Sequence, residues 1–295
     1  MKSVSKLILG TANFGSSVSE REAVALIDYA LAHGITAIDT ADSYGDSEEI
    51  VGKALRGRRD SVFLATKVGN PSPSGSGLSK KHIEEAIQHS LRRLQTDYVD
   101  LYQAHNWDKG TPLAETLGAF NSVVTDGYAA ALGCSNFTVD QIRESLTLAE
   151  TSGVVPFTTT QPVFNFIERS AENDLLPFAL EQHLSVWAYS PLAGGVLTGK
   201  YAHGIPRDSR AAQFPNANPR EAGFIPKITE GNITIGIQVA KIAEKFNVTS
   251  SQLLIAWVLS NPAVTSVIVG VRNLEQLREI VTGNVPREAL DGLSL

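Results

Sequence analysis

The chain has 295 residues, of which 43% are hydrophobic and 19% charged, and its formal net charge is −6. This composition is typical of a globular protein with a sizeable core, and the lack of any basic block in the sequence argues against a nucleic-acid or anionic-membrane partner. No apolar run suits a signal peptide or approaches the roughly 20 residues of a membrane-spanning helix, so we expect a cytoplasmic protein that does not enter membranes.

Short β-branched segments alternate with longer amphipathic segments along the chain. The strand-like segments are, in order, Leu7–Gly10, Thr36–Asp39, Val62–Lys67, Tyr98–Ala104, Ala129–Gly133, Phe157–Gln161, Ser185–Ala188 and Val267–Val269. Helical spacing of apolar residues occurs at Glu20–His33, Lys80–Leu94, Pro112–Asp126, Val139–Thr151, Asn173–Gln182, Thr234–Phe246, Ser250–Leu259 and Leu274–Val281. Eight strands interleaved with helices predict an α/β fold, a (β/α)8 TIM barrel with long loops at its C-terminal face.

No linker divides the sequence, so we expect a single barrel domain over residues 1–295. No G-x-G-x-x-G turn follows a strand, which weakens the alternative of an open Rossmann sheet. Between Ser190 and Asn232 the sequence is rich in glycine and proline and has no clean periodicity. A loop of this length in a compact domain is usually functional, often a lid, or else disordered.

Four polar residues stand at or just beyond the ends of predicted strands. Asp39 and Tyr44 belong to the segment Asp39-Thr-Ala-Asp-Ser-Tyr44, while Lys67 and His105 end two apolar strands. In a parallel barrel the strand C-terminal ends open onto one face, so these four side chains are expected to meet around one substrate. Each has an ordinary alternative: packing for the tyrosine, helix capping for the aspartate, exposure for the lysine and a satisfied core position for the histidine.

Together these residues are equipped to reduce a carbonyl group, which needs a hydride at carbon and a proton at oxygen. Tyr44 is the candidate acid, because an ammonium such as that of Lys67 stabilises a neighbouring phenolate. Asp39 would hold Lys67 charged in a partly buried setting. His105 would donate a hydrogen bond to the substrate oxygen and orient the carbonyl.

No metal site is predicted. Cys134 is the only cysteine, and the six histidines are scattered without a pair at zinc-ligand spacing. The hydride would therefore come from an organic cofactor.

Seven segments in order give the chain its resemblance to a known family. They are Leu9–Ala12, Asp39–Tyr44, Thr66–Lys67, Asp97–His105, Gly133–Asn136, Tyr189–Ala193 and Gly270–Leu277. With them the chain resembles the aldo/keto reductase superfamily over nearly its full length. Three further segments, Gly77–Ile83, Ser90–Gln95 and Gly204–Ala211, are similar to bacterial members and to the potassium channel β subunits. The resemblance implies the same catalytic roles for Asp39, Tyr44, Lys67 and His105. It also implies NADP(H) as the cofactor, lying across the barrel mouth.

The resemblance further implies which residues contact NADP(H). Ser135, Asn136 and Gln161 would bind the carboxamide, Tyr189 would stack on the nicotinamide, and the loop at about 190–232 would clasp the cofactor. Arg272, with Gln276 and Glu279, would bind the 2′-phosphate and adenine at a helix start, which predicts a preference for NADPH. The remaining candidate cofactor residues are Thr11, Asp39, Ser190, Leu192, Gly194, Lys200, Arg210 and Gly270.

Two features leave the specificity open. Ile280 stands where the family usually has asparagine, so discrimination between NADPH and NADH is expected to be weaker than usual. The substrate pocket is expected to include Phe14, Tyr44, His105 and Trp107, which suggests an apolar or aromatic carbonyl compound.

The leading hypothesis is an NADPH-dependent reductase of aldehydes or ketones, reversible with the alcohol. A nucleotide-binding regulatory subunit with little turnover is the alternative, against which His105 argues, because the channel β subunits carry another residue there. A barrel isomerase or lyase that uses Tyr44 and Lys67 without hydride transfer is the third. The physiological substrate, the direction of the reaction and the oligomeric state are left open by the sequence.

Overall fold

Eight parallel strands form a closed barrel in the computed structural model, which describes residues 2–207, 209–213 and 227–293. Each strand pairs with the next in the sequence, and β8 returns to pair with β1. The strands are β1 (Leu7–Gly10), β2 (Ala37–Asp39), β3 (Phe63–Val68), β4 (Leu101–Ala104), β5 (Leu132–Ser135), β6 (Phe157–Gln161), β7 (Ser185–Ala188) and β8 (Ser266–Gly270). The predicted (β/α)8 barrel is confirmed.

The helices surround the barrel. They are α1 (Glu20–Ala32), α2 (Ser47–Ala54), α3 (Lys80–Leu94), α4 (Leu113–Thr125), α5 (Val139–Ser152), α6 (Leu175–Glu181), α7 (Arg210–Gln213), α8 (Glu230–Lys245), α9 (Ser250–Ser260), α10 (Leu274–Val281) and α11 (Arg287–Asp291). Ser79, Thr138 and Thr249 cap the starts of α3, α5 and α9 by accepting a hydrogen bond from a backbone N–H of the first turn, which satisfies a donor that the helix itself cannot pair.

Apolar side chains pack in two layers. Inside the barrel, Ile8, Phe63, Leu101, Trp187 and Ile268 form one cluster with the small residues of neighbouring strands. A second and larger cluster lies between the strands and the surrounding helices. Because successive strand residues face opposite sides, each strand contributes to both layers, and its last inward-facing residue reaches the C-terminal mouth of the barrel.

The sequence placed the elements well, except that the short helices α2, α7 and α11 were not predicted. The strand beginnings shift by up to three residues, as at β4, which begins at Leu101 rather than at Tyr98. Helix α2 was not predicted, because eight residues directly after the Tyr44 segment give too short a periodic pattern. The 3₁₀ segment Ala193–Thr198 and helix α7 belong to the long loop expected at about 190–232, of which residue 208 and residues 214–226 lie outside the described ranges. Over the described ranges, the structure has no helix that is both long and apolar enough to cross a bilayer.

Candidate active site

A buried ion pair lies at the mouth of the barrel. The Nζ of Lys67, at the end of β3, is 2.5 Å from Oδ2 of Asp39, the last residue of β2, and also donates to the backbone oxygen of Thr40 at 2.8 Å. The side chain of Lys67 is 0% exposed and that of Asp39 is 3% exposed. Two charges removed from water to this extent persist only if each is paired and hydrogen-bonded.

Two amides complete the environment of the Asp39 carboxylate. Its Oδ1 accepts a hydrogen bond from Nε2 of Gln161 at 3.0 Å and a longer one from Nε2 of Gln103 at 3.4 Å. Both glutamines point inward from β6 and β4. Gln103 was not predicted as a site residue, although it lies two positions before His105 and therefore on the same face of its strand.

The pair keeps the lysine protonated. Burial opposes the charge of Lys67, but the carboxylate of Asp39 and the phenol of Tyr44 outweigh it and raise the pKa of the ammonium above its ordinary value. The site therefore holds a fixed positive charge at neutral pH.

Tyr44 and His105 lie above this charge. Nζ of Lys67 is 5.0 Å from the ring centre of Tyr44. The rings of Tyr44 and His105 meet edge to face, with centres 5.6 Å apart and planes at 77°. The structure thus brings all four predicted catalytic residues, Asp39, Tyr44, Lys67 and His105, into one cluster.

A cavity of about 1140 Å³ opens above this cluster. Tyr44 and His105 line it from the loops after β2 and β4, and Arg272, Gln276 and Glu279 line it on the β8 side. Most of the other residues predicted to contact a cofactor also form its wall, namely Thr11, Asp39, Ser135, Asn136, Gln161, Tyr189, Ser190, Leu192, Gly194, Lys200 and Gly270.

A hydrogen-bonded chain forms the wall at β5 to β7. Tyr189 donates to Oδ1 of Asn136 at 2.7 Å, and Nδ2 of Asn136 donates to the backbone oxygen of His105 and to Oγ of Ser135. Burial raises the pKa of Tyr189 to about 12, so this phenol remains a neutral donor. Asn136 is also held with φ at 59°, in the left-handed region, which fixes its side chain beside His105.

Thr11 connects three segments of the site by hydrogen bonds, in addition to the cofactor contact that the sequence suggested. Its hydroxyl donates to the backbone oxygen of Asp39 at 3.0 Å and accepts from Oγ of Ser47 at 2.7 Å. These bonds tie the loop after β1 to the end of β2 and to the start of α2. Thr11 therefore lines the cavity and also holds these three segments in place.

After β7 the backbone turns repeatedly through the left-handed region. Ser190, Ala193, Gly194 and Gly195 all have positive φ, from 48° to 87°. Turns of this kind form concavities that suit anions; here the N–H groups of Ala193 and Gly195 donate to the backbone oxygens of Ser190 and Leu192, so any anion would be bound by other groups of the turn. Lys200 lies close by, since a Cβ on Gly195 would stand 2.3 Å from its Nζ. The side chain of Arg210, also predicted to contact the cofactor, lies outside the described part of the structure.

On the β8 side, Asn273 caps helix α10 by accepting from the backbone N–H of Gln276 at 2.9 Å. Gln276 in turn accepts from the backbone N–H of Arg272 through its Oε1 at 2.9 Å. Arg272 is thereby fixed at a helix N-terminus, where the dipole and the guanidinium both favour an anion. Ile280, one turn beyond, also lines the cavity.

These features fit an extended dinucleotide. Oε1 of Gln161 has no hydrogen-bond donor within the described residues, so it can accept from a carboxamide. The turn at Ser190–Gly195 suits a diphosphate, and Arg272 suits a further phosphate. The donor set therefore suits a dinucleotide that carries a further phosphate.

Several cavity residues were missed by the sequence analysis. Glu168, in the loop after β6, forms an ion pair with Lys227 just before α8, and Thr249 to Ser251 bring the start of α9 to the wall. These residues come from loops that are distant in sequence, and no local pattern marks them.

Two aromatic residues expected near the pocket differ in their placement. Phe14 lines the cavity but is 1% exposed. Trp107 packs edge to face on Phe137 with ring centres 5.1 Å apart, and it is not part of the cavity wall. It is half-buried and belongs to the loop between β4 and α4.

The chain is similar to known proteins over most of its length. A profile of the aldo/keto reductase family matches residues 6–284. A probable voltage-gated potassium channel subunit beta of Arabidopsis thaliana is 37% identical over 286 residues, which cover 94% of this chain and 86% of that protein. An uncharacterized oxidoreductase of Bacillus subtilis is 36% identical, with coverage of 94% and 86%, and an L-glyceraldehyde 3-phosphate reductase of Escherichia coli is 33% identical, with coverage of 91% and 80%. The chain belongs to the aldo/keto reductase family.

Proposed function

We propose that this member of the aldo/keto reductase family is an NADPH-dependent reductase of aldehydes or ketones, reversible with the corresponding alcohol. The observation that supports it most is the buried Asp39–Lys67 pair beneath Tyr44, beside a cavity that Arg272 also lines. NADPH supplies the hydride when it is bound. The residues of the chain supply the proton, the orientation of the carbonyl and the site for the dinucleotide.

Tyr44 is the proposed proton donor. Transfer of its proton leaves a phenolate, and the ammonium of Lys67 is already fixed beside the ring to stabilise that negative charge. Asp39 keeps the ammonium in place through a direct contact of 2.5 Å. Because these charges are arranged before the reaction, little reorganisation is needed when the phenolate forms. In the reverse direction the same phenolate would act as the base.

His105 is proposed to orient the carbonyl oxygen. It stands beside Tyr44 at the end of β4, and its backbone oxygen accepts from Nδ2 of Asn136. This bond couples the position of His105 to the wall on which the nicotinamide would lie. A donor held in this way lowers the entropic cost of aligning the carbonyl with the hydride.

The proposed cofactor contacts are made by residues of the cavity wall. Gln161 would accept from the carboxamide, and the turn at Ser190–Gly195 would bind the diphosphate. Arg272 would bind the 2′-phosphate at the start of α10. This contact is the basis for proposing NADPH over NADH.

The test is steady-state oxidation of NADPH with a panel of aliphatic and aromatic aldehydes and ketones, on the wild type and on Tyr44→Phe. We expect the wild type to turn over and the variant to lose about 10²–10⁴-fold in kcat, while both bind NADPH equally by fluorescence titration. If Tyr44→Phe retains the wild-type kcat, the proposed proton donor is wrong.

A nucleotide-binding regulatory subunit is the second candidate. The observation that favours it is the 37% identity to a protein named as a probable potassium channel subunit beta. The clustering of His105 with Tyr44 argues for turnover instead. Tight binding of NADPH without oxidation by any carbonyl in the panel would favour the subunit.

A further inference from the structure

Glu48 is a buried charged residue that the proposed proton transfer leaves without a role. Its side chain is 0% exposed, and it stands in the first turn of α2, four residues after Tyr44. Glu48 does not line the cavity at the barrel mouth, so any effect on the reaction must pass through other residues. A carboxylate withdrawn from water to this extent needs partners for its charge.

The partners of Glu48 come from two other elements. Its Oε1 accepts a hydrogen bond from Oγ1 of Thr66 in β3 at 2.6 Å. Its Oε2 accepts from Nε of Arg93, near the end of α3, at 2.8 Å, and a second guanidinium nitrogen lies 2.6 Å from the same oxygen. Both oxygens of the carboxylate are therefore occupied, one by a strand and one by a helix.

Thr66 connects this carboxylate to the lysine of the catalytic cluster. Thr66 is fully buried and directly precedes Lys67 in β3. Because successive strand residues face opposite sides, Thr66 points out of the barrel toward α2 while Lys67 points into it. The hydrogen bond to Glu48 thus holds β3, from the outer side of the barrel, at the position next to Lys67.

The preceding residue of α2, Ser47, makes the matching contacts on the tyrosine side. Its backbone N–H donates to the backbone oxygen of Tyr44 at 3.1 Å. Its hydroxyl donates to Oγ1 of Thr11 at 2.7 Å, and Thr11 in turn donates to the backbone oxygen of Asp39. Because Ser47 has given its proton to Thr11, it accepts from the hydroxyl of Thr40 at 3.0 Å. The start of α2 therefore holds the segment that carries Tyr44 at several points.

Helix α2 is itself packed closely against α3. Gly52, one turn after Glu48, lies so near the end of α3 that an added Cβ would stand 2.4 Å from the backbone oxygen of Arg93. Two backbones in contact at this range leave little room for either helix to shift. The ion pair between Glu48 and Arg93 joins the same two helices. Helix α2 is therefore a fixed support for the segments that its first residues bind.

We propose that Ser47 and Glu48 are positioning residues for the proton transfer from Tyr44, an inference that rests on the proposed reductase function. Ser47 holds the segment of Tyr44, and Glu48, through Thr66, holds the strand of Lys67. The start of α2 thereby sets the distance of 5.0 Å between the ammonium and the ring centre. Stabilisation of the phenolate weakens as this distance grows, and a misplacement of about 1 Å can slow an enzyme by about 100-fold.

Thr66→Val tests the connection to Lys67, because it removes the hydroxyl donor and keeps nearly the same shape. The measurement is the single-turnover oxidation of NADPH by an aldehyde that the wild type reduces, with NADPH bound beforehand, so that neither cofactor binding nor product release sets the rate. We expect the rate constant to fall by about 10- to 100-fold. The Kd for NADPH from fluorescence titration should stay unchanged, since neither Thr66 nor Glu48 lines the cavity. Thr66→Ser keeps the donor and should recover most of the rate.

Ser47→Ala tests the connection to Tyr44. It breaks the chain of hydroxyl groups between Thr40 and Thr11 but keeps the backbone bond to Tyr44. Because one of the two kinds of contact remains, we expect a smaller fall in the single-turnover rate constant, by about tenfold.

Two matched controls remove a buried hydroxyl group elsewhere in the barrel. Thr116 is 3% exposed and donates to the backbone oxygen of Leu78 at 3.0 Å. Ser145 is 1% exposed and donates to the backbone oxygen of Gln141 at 2.7 Å. Thr116→Val and Ser145→Ala should lower the stability to urea, as Thr66→Val and Ser47→Ala do, but they should leave the single-turnover rate constant unchanged.

A double-mutant cycle checks that Thr66 acts through Glu48. Glu48→Ala should slow the same step at least as much as Thr66→Val, and the double variant should be no slower than Glu48→Ala, because one hydrogen bond can be lost only once. Fully additive losses would show that Thr66 affects the reaction by another route. The amplitude of the single turnover measures the fraction of folded, active molecules, and Thr66→Val with Thr66→Ser decides the result where Glu48→Ala does not fold.

Failure of the positioning role and failure of the proposed function give different results. An unchanged rate constant in Thr66→Val would overturn the role of Glu48, and one in Ser47→Ala would overturn that of Ser47, while the reductase function stands. A smaller amplitude at the wild-type rate constant, or equal slowing in the two controls, would show that these bonds only stabilise the fold. If no aldehyde or ketone oxidises NADPH with the wild type, the reductase function and the positioning role are both wrong.

Discussion

The ammonium of Lys67 lies 2.5 Å from the carboxylate of Asp39, and the two side chains are almost completely removed from solvent. Gln161 and Gln103 occupy the second carboxylate oxygen, while the backbone oxygen of Thr40 accepts from the ammonium. Each charge therefore depends on the other for its burial. This dependence links the stability of the barrel mouth to the chemistry of Tyr44.

Replacement of Lys67 by methionine tests the contribution of the ion pair to stability and to catalysis. The variant leaves the Asp39 carboxylate buried without its cation, so we expect a loss of about 3–5 kcal/mol in the free energy of unfolding. The fixed charge beside Tyr44 is also lost, and kcat should fall by about 10²–10⁴-fold. Urea unfolding and steady-state kinetics measure the two effects.

The double variant Lys67→Met/Asp39→Asn is the control. Because it removes both charges, it should recover most of the unfolding free energy but none of the activity. Equal destabilisation in the single and double variants would show that the ion pair is not what Lys67→Met disturbs.

Arg272→Ala tests the proposed site for the 2′-phosphate. The guanidinium stands at the start of α10, where Gln276 fixes its backbone. Loss of charge-assisted hydrogen bonds worth about 1.5–3 kcal/mol should raise KM for NADPH by about 10- to 100-fold and leave KM for NADH nearly unchanged. Arg278→Ala is the matched control, because Arg278 is exposed on the same helix and packs over Tyr29. Equal changes for both cofactors in Arg272→Ala would refute the assignment.

Gly195→Ala tests the turn proposed to bind the diphosphate. Gly195 has φ at 87°, and a Cβ there would lie 2.3 Å from Nζ of Lys200. The methyl group must therefore displace the lysine or the turn, and KM for NADPH should rise at least several-fold. Gly204→Ala is a matched control with φ at 102° and no atom within 4 Å of the added methyl group, so it should carry only the backbone cost of about 1 kcal/mol. An equal and small effect in both variants would argue against a tight turn at Gly195.

The catalytic cluster could be predicted because its residues lie at or next to the C-terminal ends of strands. Asp39 and Gln161 end their strands, Lys67 is the penultimate residue of β3, and His105 directly follows β4. In a parallel barrel, locating the strands is therefore enough to bring these side chains together. Gln103 was within reach of the same reasoning. It faces inward two residues before His105, but an uncharged residue inside an apolar strand did not by itself indicate a functional role.

The loop residues that line the cavity near Tyr44 could not be predicted in this way. Their positions depend on contacts between separate loops, such as the hydrogen bond between Asn106 and Asn70. The sequence suggested an aromatic rim at Trp107, whereas the ring packs on Phe137 outside the cavity wall. Loop side chains are oriented by neighbours that are distant in sequence, so local sequence patterns do not predict their orientation.

Asp42 gives a prediction for stability as a function of pH. It lies between Asp39 and Tyr44 and is 2% exposed. Burial, and then the negative charge of Glu48, raise the pKa of its carboxyl from 3.8 to about 7. Between these two values the folded protein holds a proton that the unfolded chain has released. The free energy of unfolding contributed by Asp42 should therefore fall as the pH rises from about 4 to about 7 and then level off.

Asp42→Asn removes this titration while keeping the shape of the protonated carboxyl. Between about pH 5 and about pH 8, the wild type should lose about 2–3 kcal/mol more unfolding free energy than the variant, as measured by urea denaturation. Asp60→Asn is the control at an exposed position and should follow the wild type. Parallel pH profiles for the wild type and Asp42→Asn would mean that this carboxyl is already ionised in the folded protein at about pH 5, with its charge compensated in place.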